Sequence, residues 1–252
     1  MFAEYPQTHQ IPALRQLWQE AFGDDDAFLD LFFSTGYSPR RCRCVTVDGG
    51  VAAALYWFDC LWDGKKLAYF YAVATAADLQ GRGLCRFLLE NTHSLLAREG
   101  YVGAVLSPGS DSLYRMYEKL GYRIMSAVRE FSCEAASVPC PVTQITKGEY
   151  ARRRKSLLPK GGILQEGESL DFLAAYSAFY VGTDCLLCAR LDGNKLFVPE
   201  ILGKTDQAAG IVRHFGCREG CFRTPGEEKS FAMYRSLTCD SAMPAYLGHA
   251  FD

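Results

Sequence analysis

Apolar residues recur at Leu14, Leu17, Trp18, Ala21 and Phe22, the spacing of one helical face. Pro12 stands where a first helical turn tolerates proline, and Gly23 supplies a stop. Asp24 to Asp26 then suit the start of a second short helix carrying Phe28, Leu29, Phe32 and Phe33. Three strand-like runs follow, Cys42–Val47, Ala52–Phe58 and Lys66–Thr75, separated by the turn signals Asp48-Gly49-Gly50 and Asp63-Gly64. The third run opens through Leu79–Gly83 into a helix that the pattern carries to about Arg98. Val102–Leu106 reads as a buried strand, Ser110–Leu120 as a helix stopped by Gly121, and Tyr122–Ser132 as a returning strand. Two prolines make Ser137–Val142 a linker.

The second half begins again with helices. Thr146 and Glu149 have capping-box spacing ahead of Tyr150–Leu158, and Ser169–Tyr180 predicts a second helix. Strands at Cys185–Leu191 and Lys195–Leu202 flank Asp192-Gly193-Asn194, and a short helix is expected at Asp206–Phe215. Ser230–Leu237 fits either a helix or a closing strand. Asp63-Gly64-Lys65-Lys66-Leu67 lies opposite Asp192-Gly193-Asn194-Lys195-Leu196 at an offset of 129. Ser107-Pro108-Gly109 lies opposite Thr224-Pro225-Gly226, and Met116-Tyr117 opposite Met233-Tyr234, both at 117. A duplicated plan is therefore expected, with 12 residues missing from the second copy between these anchors.

The loop within that gap carries the chemistry. In Val73-Ala74-Thr75-Ala76-Ala77-Asp78-Leu79-Gln80-Gly81-Arg82-Gly83-Leu84-Cys85, a strand runs through two glycines into a helix. The first N–H groups of a helix have no internal partner and carry partial positive charge, so they suit an anion. Glycines let backbone approach a pyrophosphate closely, and Arg82 and Arg86 suit further phosphates. Gln80-x-x-Gly83-x-Cys85 resembles the GNAT acetyltransferase signature Gln/Arg-x-x-Gly-x-Gly/Ala, with a small cysteine at its last position. Ser110 to Tyr122, containing Tyr117-Glu118-Lys119-Leu120-Gly121-Tyr122, resembles the second signature of that superfamily. With the degenerate second half, the chain looks most like the enhanced-intracellular-survival aminoglycoside acetyltransferases, without their sterol-carrier-like domain.

The resemblance implies an α/β chain: a GNAT fold with a mixed, splayed central sheet at 1–136, then a truncated, degenerate GNAT-like domain at 137–252. It implies acetyl-CoA as cofactor, with pantetheine along Val73, Ala74 and Thr75, and the pyrophosphate on the loop at Gln80, Gly81, Arg82, Gly83, Leu84 and Cys85. Tyr117 matches the general acid that protonates the departing thiolate, a task suited to a phenol whose ordinary pKa is about 10. The acceptor is then a primary amine on a small molecule or peptide. Two rivals stay open: an aminoacyl ligase of the tandem GNAT type fed by charged tRNA, and a coenzyme A-binding regulatory module without catalysis. Glu20, Asp24, Asp25, Asp26, Asp59 and Asp63 are the candidate bases, none preferred.

Composition narrows the rest. A net charge of −2 gives no basic excess for nucleic acid, and no apolar stretch reaches a membrane span. Eleven irregularly spaced cysteines and a start, Met1-Phe2-Ala3-Glu4, unlike a signal peptide predict a cytoplasmic protein with free thiols. Cys185-x-x-Cys188 and Cys217-x-x-x-Cys221, near His214, have zinc-like spacing, but strand residues three apart face opposite sides, so no metal is expected. Arg152-Arg153-Arg154-Lys155 reads as a solvated helix, His93 as structural, and Trp57, Phe58 and Trp62 as core or cleft wall. The apolar Tyr246–Asp252 tail is expected either to dock near the first domain, its carboxylates drawing a cationic amine, or to finish the second half's sheet.

Overall fold

A computed structural model of the chain describes Phe2 to Phe251. It divides into two compact units: Met1–Arg123 with Tyr234–Ala242, and Ile124–Met233 with Met243–Asp252.

In the first unit, β1 (Ala3–Glu4) precedes helices α1 (Ile11–Phe22) and α2 (Asp26–Thr35). Strands β2 (Cys42–Val47), β3 (Gly50–Trp62) and β4 (Lys65–Thr75) form an antiparallel meander. Its turns need left-handed backbone at Asp48-Gly49 and Asp63-Gly64, which explains the Asp-Gly pairs. Helix α3 (Leu84–Arg98) crosses over to β5 (Gly103–Leu106), parallel to β4, and α4 (Asp111–Glu118) follows. The strand order is β1-β2-β3-β4-β5, and the end of β13 (Lys229–Ser236) lies beside β5. Trp18 of α1 packs on Tyr71, whereas His93 of α3 stacks on Phe70. Because neighbouring strand residues point to opposite faces, α1 and α3 sandwich the sheet.

The second unit contains β6 (Arg123–Glu134, from Ile124 onward), β7 (Thr143–Ile145), α5 (Lys147–Leu157), β8 (Leu164–Gln165) and α6 (Glu168–Tyr176). After these come β9 (Ala178–Val181), β10 (Cys185–Asp192), β11 (Lys195–Gly203), α7 (Ala208–His214) and β12 (Glu219–Pro225), then the start of β13. Its strands run β7-β9-β10-β11-β12-β6, antiparallel except for β11 and β12. One antiparallel meander, one helical crossover and one parallel strand thus appear in each unit. Among the described residues the second unit has no counterpart of α4, which makes it a truncated GNAT-like fold.

Two expected elements are corrected and one open alternative is resolved. The helix expected to reach Tyr180 stops at Tyr176, and Ala178–Val181 becomes β9, where paired strands outweigh local helical spacing. Ser230–Leu237 is the strand alternative, because Phe231, Ala232, Met233 and Tyr234 are all buried. Matching Met233-Tyr234 to Met116-Tyr117 therefore sets a strand against a helix. Asp206 lies before α7 and not inside it.

The missing 12 residues fall between β11 and β12. The loop ahead of the helix is four residues, 204–207, against eight, 76–83, in the first unit. The helix itself has 7 residues against 15.

Candidate active site

The site is built where β4 stops being an ordinary strand. Ala72 has φ 48, a left-handed value unusual outside glycine. Ala54 pairs with Ala74 and Tyr56 with Tyr71, so Ala72 and Val73 together oppose Leu55, a bulge that re-aims the backbone. On the other side, β4 pairs with β5 only at Leu67, Ala68 and Tyr69. The stretch holding Val73, Ala74 and Thr75 runs past the end of that ladder, and the two strands splay. The buried Thr75 hydroxyl oxygen has no hydrogen-bond partner among the described residues.

The loop after β4 is braced by its own side chains. Gln80 Nε2 donates to the Thr75 carbonyl at 3.3 Å, and an Arg82 guanidinium nitrogen donates to the Asp78 carbonyl at 3.2 Å. Gly81 and Gly83 have φ 76 and 79, where any side chain would be strained, and a Cβ at either would point into open space. Gly83 is the N-cap of α3 and offers no side chain to its first turn. The N–H groups at the start of α3 therefore have no side-chain cap. Leu84 is buried, and burial pushes the neighbouring Cys85 thiol up to about 11, so it stays a thiol.

Tyr117 lies in the last turn of α4 and is 6% exposed. Burial drives its phenol well above the ordinary value, and the Cys85 thiol adds to the rise. An electrostatic interaction thus links Tyr117 to Cys85 in the first turn of α3. Its ring meets Tyr122 edge-on at 5.5 Å, and the Tyr122 hydroxyl shares a 2.7 Å hydrogen bond with His93 Nε2. Burial, and then the Arg235 charge, lower His93 to about 3, so its imidazole is neutral at pH 7.

The candidate bases all have structural partners or turn positions. Asp24 accepts from Trp18 Nε1 at 2.8 Å, Asp25 caps α2 through the Phe28 N–H, and Asp26 pairs with Arg15 at 3.2 Å. Asp59 accepts from the Tyr101 hydroxyl at 2.5 Å, Glu20 accepts from Gln16, and Asp63 forms the β3–β4 turn. Trp57, Phe58 and Trp62 are buried.

A family model described as an acetyltransferase (GNAT) domain matches residues 4–125. Residues 4–125 belong to the GNAT acetyltransferase family. Solved structures with the same fold include GCN5-related N-acetyltransferases from Kribbella flavida (17% identity, TM-score 0.69) and Anabaena variabilis (13%, 0.74). Eis1 from Mycobacterium abscessus is similar as well (12%, 0.67). Each alignment covers 94% of this chain, and 72%, 73% and 74% of those chains respectively. No curated protein matches the sequence.

The GNAT-like second unit repeats the bulge with altered chemistry. Cys188 pairs with Glu200 and Arg190 with Phe197, so Val198 and Pro199 oppose Ala189 just as Ala72 and Val73 oppose Leu55. Proline thus replaces Val73 and removes its N–H, and Glu200 replaces Ala74. Glu200 is fully buried and holds Arg154 through two short contacts, 2.6 and 2.9 Å, with Tyr150 and Tyr246 donating to it as well. The tail joins this cluster. Tyr246, Leu247, His249 and Phe251 are buried in the second unit, and Gln165 hydrogen-bonds both backbone groups of His249. The tail forms no named strand, and the carboxylates expected of Asp252 lie outside the described residues.

Arg154 and Glu200 escaped the sequence reading. Arg152, Arg153 and Lys155 are exposed, as a solvated helix requires, but Arg154 points inward. The available signals were Arg154 lying four residues after Tyr150 and a lone carboxylate inside the apolar run Leu196–Leu202. Cys185 and Cys188 are both buried on β10, and among the described residues no group of three or more His, Cys, Asp or Glu side chains is arranged to hold a metal. No helix among the described residues is long and apolar enough to cross a membrane.

Proposed function

We propose that the chain transfers an acyl group, acetyl in the simplest case, from coenzyme A to a primary amine. What carries this reading is one juxtaposition within the first unit. A bulged, partly unpaired strand end leads to an uncapped helix N-terminus, and Cys85 in that helix's first turn interacts electrostatically with the buried Tyr117 phenol.

These residues fit the group. Val73, Ala74 and Thr75 offer strand backbone and an unsatisfied hydroxyl to the pantetheine amides. Gly81 and Gly83 leave room for the pyrophosphate against the N–H groups of Leu84 and Cys85, and Gln80 and Arg82 hold the loop open. Acetyl-CoA supplies the activated acyl group and a thiolate leaving group. The backbone N–H at the β4 bulge is available to polarise the acyl carbonyl, a fixed dipole where negative charge develops. Tyr117 holds a proton at Oη throughout the neutral range and delivers it to the departing sulfur as the carbon–sulfur bond breaks, and the proton lost by the attacking nitrogen as the amide forms restores the phenol. The acceptor enters as the neutral amine, because no carboxylate stands out as its base.

A panel of primary amines with acetyl-CoA, followed by release of free thiol, tests the reading. Amine-dependent thiol release that Tyr117→Phe suppresses is the expected result. Binding of coenzyme A without release on any amine would favour the regulatory module instead.

A further inference from the structure

We infer that Arg235, carried on the last strand of the chain, is a positioning residue for the site at Tyr117, an inference that rests on the transfer reaction proposed above.

The two residues are 118 positions apart in sequence yet belong to the same unit. A guanidinium nitrogen of Arg235 donates to the Leu120 carbonyl, at the exit of α4. A Cβ on Gly121, which has φ 83, would touch the same guanidinium at 3.9 Å. Helix ends leave carbonyls without internal partners, and a fixed cation there satisfies one of them and suits the helix dipole. The remaining turn is tight: Leu120 N–H and Tyr122 N–H both donate to the Tyr117 carbonyl, at 2.9 and 3.1 Å. Holding Leu120 therefore holds Tyr117 and Tyr122 together.

Neighbouring residues fix Arg235 in turn. Tyr234 occupies the notch at Gly103, where no Cβ would fit, and its hydroxyl donates to the Val102 carbonyl at 3.3 Å. Leu237 N–H donates to the same carbonyl at 2.9 Å. The Arg235 charge also helps keep His93 neutral, and His93 is the hydrogen-bond partner of Tyr122. One side chain thus touches the end of α4 and biases the polar pair beneath the Tyr117 ring. The second half of the sequence thus supplies the strand whose arginine holds the exit of the helix that carries Tyr117.

The test compares full-length wild type with Arg235→Ala, Arg235→Gln and Arg235→Lys in two assays. In turnover, Arg235→Ala and Arg235→Gln should lower kcat by roughly 10- to 100-fold with KM for acetyl-CoA little changed, because a displaced acid costs rate and not binding. Arg235→Lys should recover part of the loss. In 3-fluorotyrosine-labelled protein, the resonance assigned to Tyr117 by its absence in Tyr117→Phe should move in the Gln variant and return toward wild type in the Lys variant. The second assay does not depend on activity. A wild type inactive on every amine would sink the transfer reading, while a moved resonance would still support the positioning role. An unmoved Tyr117 resonance, or an unchanged kcat, overturns the inference. If Arg235→Ala fails to fold, the Gln and Lys variants decide.

Discussion

Arg154 and Glu200 face each other as a buried ion pair, Nε to Oε2 at 2.6 Å and a second guanidinium nitrogen to Oε1 at 2.9 Å, both side chains almost without solvent. A carboxylate in such a place survives only when its partners hold the charged form. Burial opposes ionisation of Glu200, but the Arg154 charge overrides it and holds the carboxyl well below the usual range. Removing one partner strands the other, so Glu200→Ala should cost about 3–5 kcal/mol of stability. Losing both together should cost far less than the sum of the single losses. A double-mutant cycle with Arg154→Ala in urea checks this, and additive losses would show that the pair is not coupled.

Gly248 sits against that pair. A Cβ there would overlap Glu200 Oε1 and come within 2.5 Å of an Arg154 nitrogen. The glycine is needed for close approach, not for its backbone angle. Gly248→Ala should therefore lower the unfolding midpoint and loosen the tail around His249. Faster backbone amide exchange at Ile163 and His249, whose N–H groups bond Tyr246 and Gln165, is the expected signature. Unchanged exchange at both would mean that the tail accommodates the methyl group.

The phenol of Tyr117 has a separable role. If it delivers a proton to the leaving sulfur, Tyr117→Phe should cut turnover by about 10²–10⁴ and leave coenzyme A affinity nearly unchanged. Calorimetry and steady-state kinetics on the same preparation separate the two. Full turnover in the phenylalanine variant would make Tyr117 a packing residue against Tyr122.

Acid should destabilise the fold in a defined window. His93 titrates at about 3 in the folded protein, against about 6.5 when unfolded, so between those values the unfolded chain binds more protons. Its contribution is fully present above pH 6.5 and is lost as pH falls toward 3. Burial lowers His249 as well, so it acts in the same direction. Each neutral histidine contributes at most about 1.4 kcal/mol per pH unit to the slope. Melting points from pH 7 to 5 should fall less steeply in His93→Gln than in wild type. Equal slopes would mean that His93 does not titrate as its burial requires.

The meander, the crossover helices and the Gly81–Gly83 loop were legible because each rests on local rules: Asp-Gly turns, helical spacing, glycine at left-handed backbone. The β4 bulge was not legible, since Ala72 has no residue signature for φ 48 and the register that forces it comes from β3. β13 was ambiguous for a similar reason. Its apolar run is only four residues long, and strand pairing decided it. Arg154 was misread because a run of four cations hides the one member that shares a face with Tyr150.

The remaining prediction is that one chain binds one coenzyme A, in the first unit. Both units have a bulged fourth strand that outruns its parallel neighbour, so the fold alone allows two sites. The residues at the second bulge oppose it. Pro199 has no N–H where Val73 has one, and Glu200 buries a carboxylate in the register of Ala74. The loop after β11 is half the length of its counterpart and exposes Asp206, a charge of the wrong sign beside a diphosphate. Helix α7 is covered at Gly210, where a Cβ would meet Cys140 at 2.8 Å. Isothermal titration of the whole chain should give a stoichiometry of one. Gly83→Glu should abolish that binding, since it puts strain and negative charge where the first N–H groups of α3 meet the anion. Pro199→Ala should leave the stoichiometry at one, because restoring a single N–H does not lengthen the loop or remove Glu200. Two equivalent sites, or one that survives Gly83→Glu, would overturn the assignment of coenzyme A to the first unit alone.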